Sequence, residues 1–243
     1  MSFVKDLILS KVFKLIKSWK RPYFDFSQLG EEKILFNILE RISNKNKINQ
    51  YYIDIGGFSP ILYSNTYKLY QKKWCGVIVE PNKNKTKYWK KIRPKDLIIN
   101  QALVPNSYNN NKIKIYYDDE NTAMEKKKPD FKNKFLKSYE SSTIKLNEVI
   151  SICEKKFSKP FFLNIDIEGS ENEIILELEN INYKIPLICV ELFLDTQSKS
   201  FSIFNYKNMK SVSFLEDNGY ILVSICGPSL IFCDKNLWVP FSN

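Results

Sequence analysis

The stretch YYIDIGGFSPILYSNTYKLYQKKWCGVIVEP, residues 51–81, decides the fold class of this protein. It begins with the apolar run YYIDI (51–55), continues through a helical pattern at 63–72 and ends with a second apolar run, GVIVE (76–80). The interiors of both runs are nearly all apolar, as expected for parallel strands covered on both faces. The stretch therefore predicts a β-α-β unit with a right-handed crossover.

The same alternation continues towards the end of the chain. Further strands are predicted at 97–100, 161–167, 187–193, 220–225 and 229–234, and further helices at 143–156, 171–181 and 208–218. Since β and α units alternate, we expect a doubly wound α/β domain with a mostly parallel sheet. The CGPS turn between the last two runs predicts an antiparallel hairpin at the sheet edge.

Two regions depart from this alternation. Residues 3–19 predict a Lys-rich amphipathic helix that packs on the domain or on a neighbouring subunit, or lies on an anionic membrane surface. Glu31–Ile42 predicts a second amphipathic helix. The Asn- and Lys-rich interval 105–142 contains one isolated strand-like run, IKIYY, and is predicted to be an insertion, either a lid or a surface loop. We therefore divide the chain into N-terminal helices, 1–45, and one domain, 46–243.

The composition excludes several kinds of chemistry. The chain has no His, so no imidazole base, Ser-His or Cys-His dyad and no His-ligated metal can operate in it. Its net charge is +10, but only three of the 37 basic residues are Arg, which disfavours a nucleic-acid reader; we expect no DNA partner. The lysine excess fits either a solvated surface or an anionic partner.

Cysteine usage and hydropathy predict where the protein resides. The five Cys form no CxxC pair and several lie in apolar runs, which favours free thiols in a reducing compartment. No apolar stretch reaches 18 residues, and lysines interrupt the apolar runs at the N-terminus. We therefore expect neither a transmembrane helix nor a secretory leader, and a cytoplasmic location.

The turn after the first strand predicts a ligand site. Its GGFSPIL sequence lacks the dinucleotide fingerprint GxGxxG, but Gly56 and Gly57 would let the backbone approach a ligand closely. Glu80 ends the second strand, where an acidic residue can accept hydrogen bonds from both hydroxyls of an adenosine ribose. Its charge suits a cationic sulfonium ligand without phosphates, whose ammonium group Asp54 could meet.

Three more carboxylates are expected near this site. Asp166 and Glu168 follow the apolar start of FFLNIDIEGSE, and Glu191 ends the apolar part of LICVELF. Carboxylates among apolar neighbours usually have a partner or a function. Because the carboxyl ends of parallel strands meet at one edge of a sheet, these side chains should converge with Asp54 and Glu80.

Several motifs occur together in one order: the 51–81 stretch, TIKLNEVI leading into FFLNIDIEGSENEIIL, then PLICVELF and a closing GYILV…LIF hairpin. In this the chain resembles the FkbM-type methyltransferases, which depend on S-adenosylmethionine, over about residues 50–235. The resemblance implies a seven-stranded class I, Rossmann-like sheet. The residues it implies at the cofactor are Asp54, Gly56 and Gly57 at the methionine moiety, Ser64 and Asn65 nearby, Glu80 at the ribose, and Asn100, Gln101 and Ala102 at the adenine. The chain departs from the family at Phe58-Ser59-Pro60, where Pro60 stiffens the turn.

The resemblance also bears on the reaction. Where amine methylases of this fold often carry an Asn/Asp-Pro-Pro-aromatic motif, this chain reads NIDIEGSE, which favours a hydroxyl acceptor. Such a hydroxyl needs a base or a metal, so we expect Asp166 to act as the base with Glu168 or Glu191 assisting. By analogy with O-methyltransferases of the same fold, Asp166 and Glu191 could instead bind Mg²⁺. The expected acceptor is a sugar of a surface polysaccharide or its nucleotide-linked precursor.

Two other interpretations stay open at this stage. The basic charge permits an RNA-modifying methyltransferase, although low Arg content and the lack of a separate RNA-binding module count against it. The chain could also be a degenerate methyltransferase fold that acts as a binding or membrane-associated scaffold through residues 1–42. The sequence leaves the oligomeric state open as well.

Overall fold

A computed structural model of the protein describes residues 25–44, 46–117, 122–124, 137–167, 169–192 and 206–238. The helix expected at 3–19 and the candidate residue Glu168 lie outside these ranges. Within them, no helix is long and apolar enough to cross a membrane.

The described strands, in chain order, are β1 (Tyr51–Ile55), β2 (Cys75–Val79), β3 (Leu97–Ile99), β4 (Ala102–Leu103), β5 (Lys112–Tyr117), β6 (Thr122–Met124), β7 (Lys137–Ile144), β8 (Phe162–Ile165), β9 (Leu187–Glu191), β10 (Tyr220–Cys226) and β11 (Ser229–Asp234). The described helices are α1 (Glu31–Ser43), α2 (Tyr67–Gln71), α3 (Lys83–Thr86), α4 (Trp89–Ile92), α5 (Leu146–Lys156), α6 (Glu171–Leu176) and α7 (Lys210–Asp217), and a 3₁₀ turn at Glu177–Asn180 follows α6. The short helices α3 and α4 were not predicted.

Seven strands form the main sheet in the order β10-β11-β9-β8-β1-β2-β3. The paired strands are parallel except for β11, which runs antiparallel to both β9 and β10. The mostly parallel, doubly wound sheet with a C-terminal hairpin is thereby confirmed. From β1 the chain builds outward to β3 and then returns to β8 on the other side of β1. The strand order therefore reverses at the carboxyl ends of β1 and β8, where open α/β sheets bind their ligands.

Helices cover both faces of this sheet. Alternation along β1 sends Ile53 and Ile55 to one face and Tyr52 to the other. Apolar residues of α5, α6 and α7 join the cluster around Ile53, whereas those of α1, α2 and α4 join the cluster around Tyr52. The predicted amphipathic helix at 31–42 is thus part of the core of the domain.

The described part of the interval 105–142 forms most of a second, smaller sheet with the order β4-β7-β5-β6. The isolated strand expected at IKIYY in fact pairs with β6 and with the eight-residue β7, which extends past the interval to Ile144. Ile113 and Ile115 of β5 pack with Ala102 of β4 and approach Ile167, just beyond β8. The small sheet therefore lies beside the carboxyl edge of the main sheet.

Candidate functional site

Four residues at the carboxyl edge of the main sheet lie side by side on adjacent strands: Glu80, Gly56, Asp166 and Glu191. The register pairs Ile55 with Val79 on one side and with Ile165 on the other, and Ile165 with Val190. The next residue on each strand therefore falls into one row. The Gly56 N–H donates to the Val79 carbonyl at 2.9 Å, and the Asp166 N–H donates to the Ile55 carbonyl at 3.0 Å. The predicted convergence of acidic groups is observed for these described residues.

Gly56 and Gly57 permit close packing around the middle of this row. Gly56 has a φ of +84°, in the left-handed region that favours glycine. A Cβ atom on Gly57 would lie 2.6 Å from the Cγ2 atom of Ile78 and 3.3 Å from the Trp89 ring. The two glycines thus keep the turn after β1 against the sheet, where side chains would force it away.

Glu80 is buried and keeps one carboxylate oxygen available. Its Oε1 accepts a hydrogen bond from the Asn82 N–H at 2.8 Å, while its Oε2 has no partner among the described residues. Burial raises the pKa of Glu80, and the positive charge of Lys85 offsets part of that rise. A buried carboxylate with a vacant oxygen can accept hydroxyl donors from a ligand.

Asn100 fixes the position of Glu80. Its Nδ2 donates to the Glu80 carbonyl oxygen at 3.1 Å and to Thr86 Oγ1 at 2.7 Å. The side-chain amide nitrogen expected at the adenine therefore already ties β3 to the loop after β2. Gln101 behaves similarly, because its Nε2 donates to the Thr143 carbonyl at 2.8 Å, and Ala102 is buried in β4.

Asp54 is buried behind the row, and each of its oxygens already accepts a hydrogen bond. The Thr66 hydroxyl donates to Oδ2, and Asn164 Nδ2 donates to Oδ1 at 2.9 Å. Burial raises the pKa of Asp54, against the lowering effect of the Arg93 charge and these hydrogen bonds. In this structure Asp54 braces the loop that carries Thr66; its contact with a ligand ammonium stays a prediction.

The buried guanidinium of Arg93 organises a polar network beneath this loop. Its Nε donates to Asp96 Oδ2 at 2.6 Å, and its Nη2 donates to Tyr52 Oη at 2.7 Å and to Thr66 Oγ1 at 2.9 Å. Its Nη1 donates to Ser64 Oγ at 3.2 Å. The buried hydroxyl of Ser64 is therefore engaged within the protein, as is Asn65, whose Nδ2 donates to Asn164 Oδ1 at 3.0 Å.

Asp166 and Glu191 form a carboxyl pair. Burial raises the pKa of Asp166 well above its ordinary range, and the hydrogen bond and negative charge of Glu191 raise it further. Two adjacent carboxyls disfavour each other's ionised form and titrate as a pair. Among the described residues, no group of three His, Cys, Asp or Glu side chains is arranged to hold a metal ion.

Residues 51–222 match the family model of the methyltransferase FkbM domain. The chain belongs to this family. The matched range exceeds half of the chain, runs from β1 into β10 and contains the whole row from Glu80 to Glu191. The resemblance inferred from the sequence motifs is confirmed. A comparison with curated protein sequences found no match.

Sequence reasoning missed several residues that shape the site of this FkbM methyltransferase. Glu171 is buried, and its carboxylate accepts from the Ile167 N–H at 3.1 Å and from the Gly169 N–H at 2.9 and 3.0 Å, which fixes the turn after Asp166. The motif NIDIEGSE contains this carboxylate, and its position three residues after Glu168 was the available signal. The buried network could have been suspected from Arg93, because it is one of only three arginines among the 37 basic residues.

Proposed function

We propose that this methyltransferase transfers a methyl group from S-adenosylmethionine to a hydroxyl group of its acceptor. The observation that carries the proposal is the row of Glu80, Gly56, Asp166 and Glu191 at the point where the strand order reverses. Membership of the methyltransferase family supports the reaction class. Dependence on this cofactor and the nature of the acceptor are the proposed parts.

The residues of the row suit this cofactor. The vacant oxygen of Glu80 would accept hydrogen bonds from the ribose hydroxyls, and Asn100 would hold the Glu80 backbone in place for them. Gly56 would allow the ligand to lie against the backbone. The cofactor supplies a methyl group on a cationic sulfonium, and the acidic groups on both sides of Gly56 favour a cation between them.

The carboxyl pair of Asp166 and Glu191 would take up the proton of the acceptor. The cofactor would supply the methyl carbon to the acceptor oxygen, with the carbon–sulfur bond as the one broken and a neutral thioether as the leaving group. The hydroxyl proton would pass to a carboxylate oxygen of the pair. The base is thus the pair, rather than Asp166 alone. We assign no step to a metal ion; the expected Mg²⁺ at Asp166 and Glu191 stays a prediction.

The acceptor is proposed to be a sugar hydroxyl of a surface polysaccharide or of its nucleotide-linked precursor. A neutral hydroxylated group suits a row whose side chains Glu80, Asp166 and Glu191 are all acidic. A phosphate placed directly at the row would be repelled by these groups. In a nucleotide-linked precursor the phosphates would therefore have to lie away from Asp166 and Glu191.

Methyl transfer from labelled S-adenosylmethionine to a panel of sugars and sugar nucleotides, followed by mass spectrometry, tests the proposal. A gain of one methyl group on oxygen is the expected result. Asp166→Asn should lower turnover by about 10²- to 10⁴-fold while S-adenosylhomocysteine still binds. Glu140→Gln, on the exposed ion pair with Lys112, is the matched control and should keep wild-type activity. Full activity of Asp166→Asn would refute the role of the pair. A loss of wild-type activity in EDTA would instead support a Mg²⁺ ion at Asp166 and Glu191.

A further inference from the structure

Tyr139, on β7 of the small sheet, has a buried hydroxyl with no hydrogen-bond partner among the described residues. Its ring is half-buried and stands edge-on to Tyr117 of β5, with ring centroids 5.6 Å apart. Buried hydroxyls in folded proteins almost always have a partner, so an unpaired one needs an explanation. A bound ligand is one such explanation, because it could supply the missing acceptor.

The position of Tyr139 indicates which ligand this would be. Its side chain packs against the cluster of Ala102, Ile113 and Ile115, which also contacts Ile167, the residue after Asp166. Ala102 of this cluster follows Asn100 by two residues, and the Asn100 side chain donates to the Glu80 carbonyl oxygen, so the cluster places Tyr139 beside the row on the side of Glu80. Burial and the negative charge of Glu80 both raise the pKa of Tyr139, so its hydroxyl stays a hydrogen-bond donor at neutral pH.

We propose that Tyr139 is a positioning residue whose hydroxyl donates a hydrogen bond to the nucleoside held by Glu80. This inference rests on the proposed use of S-adenosylmethionine. It makes the small sheet a wall of the cofactor site, so the interval 105–142 contributes a ligand contact in addition to covering the sheet. Among the described residues the phenol has no partner, and the nucleoside would supply one.

Tyr183 provides a matched control. Its hydroxyl is also buried without a partner among the described residues, but it lies just before β9, at the amino end of the parallel strands. The ammonium group of Lys159 stands over its ring, 4.6 Å from the centroid. Changing either tyrosine to Phe removes one unpaired hydroxyl and keeps the ring, so the two variants differ mainly in their distance from the row.

Calorimetric titration of the full chain with S-adenosylhomocysteine, together with thermal unfolding of the ligand-free protein, tests the inference. Tyr139→Phe should bind about five-fold more weakly than wild type, the worth of one neutral hydrogen bond, and should not unfold at a lower temperature. Tyr183→Phe should bind within two-fold of wild type. Unchanged affinity of Tyr139→Phe, or an equal loss in Tyr183→Phe, overturns the role of Tyr139 and leaves the proposed function standing. No binding by wild type overturns both.

Discussion

The carbonyl oxygen of Asp166 lies only 1.6 Å from the position that a Cβ atom on Gly56 would occupy. Gly56 directly follows β1 and Asp166 directly follows β8, so this contact joins the two strands at which the sheet order reverses. The Asp166 backbone cannot move away easily, because its N–H donates to the Ile55 carbonyl. The close approach therefore requires glycine at this position.

Gly56→Ala should cost several kcal/mol of unfolding free energy or prevent folding. The added methyl group would collide with backbone atoms, and the left-handed φ adds roughly 1–2 kcal/mol of strain on its own. Gly30→Ala is the control, since Gly30 has a similar φ of +94° but no atom nearer than 3.9 Å to the added carbon. Denaturant unfolding measures both variants. Equal losses in the two would contradict a steric requirement at Gly56.

Arg93→Met should destabilise the protein by about 3–5 kcal/mol, because it leaves the buried carboxylate of Asp96 without its cation. The double variant Arg93→Met with Asp96→Asn should lose less than Arg93→Met alone, since the carboxylate that pairs with Arg93 is then replaced by a neutral amide. Lys112→Met, which breaks an exposed ion pair, should change the unfolding free energy little. A double variant no more stable than Arg93→Met alone would contradict this assignment.

Ionisation of Glu32 should lower the unfolding free energy as the pH rises from about 4.5 to about 7. Burial raises the pKa of Glu32 from 4.5 to about 7. The N–H groups of Phe26 and Lys68 donate hydrogen bonds to its carboxylate and lower the pKa in part. The negative charge of Asp25 raises the pKa, and the positive charge of Lys68 lowers it. Folding therefore favours the protonated form. The stabilisation from protonated Glu32 is fully present below the pKa of Glu32 in the unfolded chain. It is lost as the pH rises through the pKa of Glu32 in the folded protein, a change of roughly 3 kcal/mol in unfolding free energy.

Urea unfolding of wild type and Glu32→Gln at pH 4.5 and pH 8 measures this contribution. Wild type should lose more stability over the interval than Glu32→Gln, which cannot ionise at this position. Glu40→Gln, at an exposed position on the same helix, controls for the change in net charge. A wild-type protein whose stability changes no more than that of Glu32→Gln would refute the assignment to Glu32.

The main sheet could be predicted from sequence because its signals are local. Each strand is a short, largely apolar run, and all seven were placed within two residues of their bounds. The helices α3 and α4 were missed because four-residue, Lys-rich segments have no amphipathic pattern. Strand β7 was missed because KSYESSTI is largely polar, and its partner β5 lies about 20 residues earlier in the chain.

The features of the site also divide into those that local sequence signals predict and those that they do not. The row from Glu80 to Glu191 follows from where strands end, which the sequence reveals. The partners of its side chains depend on contacts between distant segments: Ser64 meets Arg93, Asn65 meets Asn164, and Gln101 meets Thr143. No local sequence pattern indicates such pairs of distant residues. The polar side chains assigned to the cofactor by resemblance alone were found engaged within the protein, as was Asp54.

The central claim is that a nucleoside binds at Glu80, and calorimetric titration of S-adenosylhomocysteine into wild type and Glu80→Gln tests it most directly. We predict one site per chain in wild type and an affinity at least about ten-fold lower in Glu80→Gln, since hydrogen bonds to a buried carboxylate are worth about 1.5–3 kcal/mol. Glu140→Gln should bind like wild type. Absence of binding to wild type, or equal affinity in Glu80→Gln, would contradict the claim.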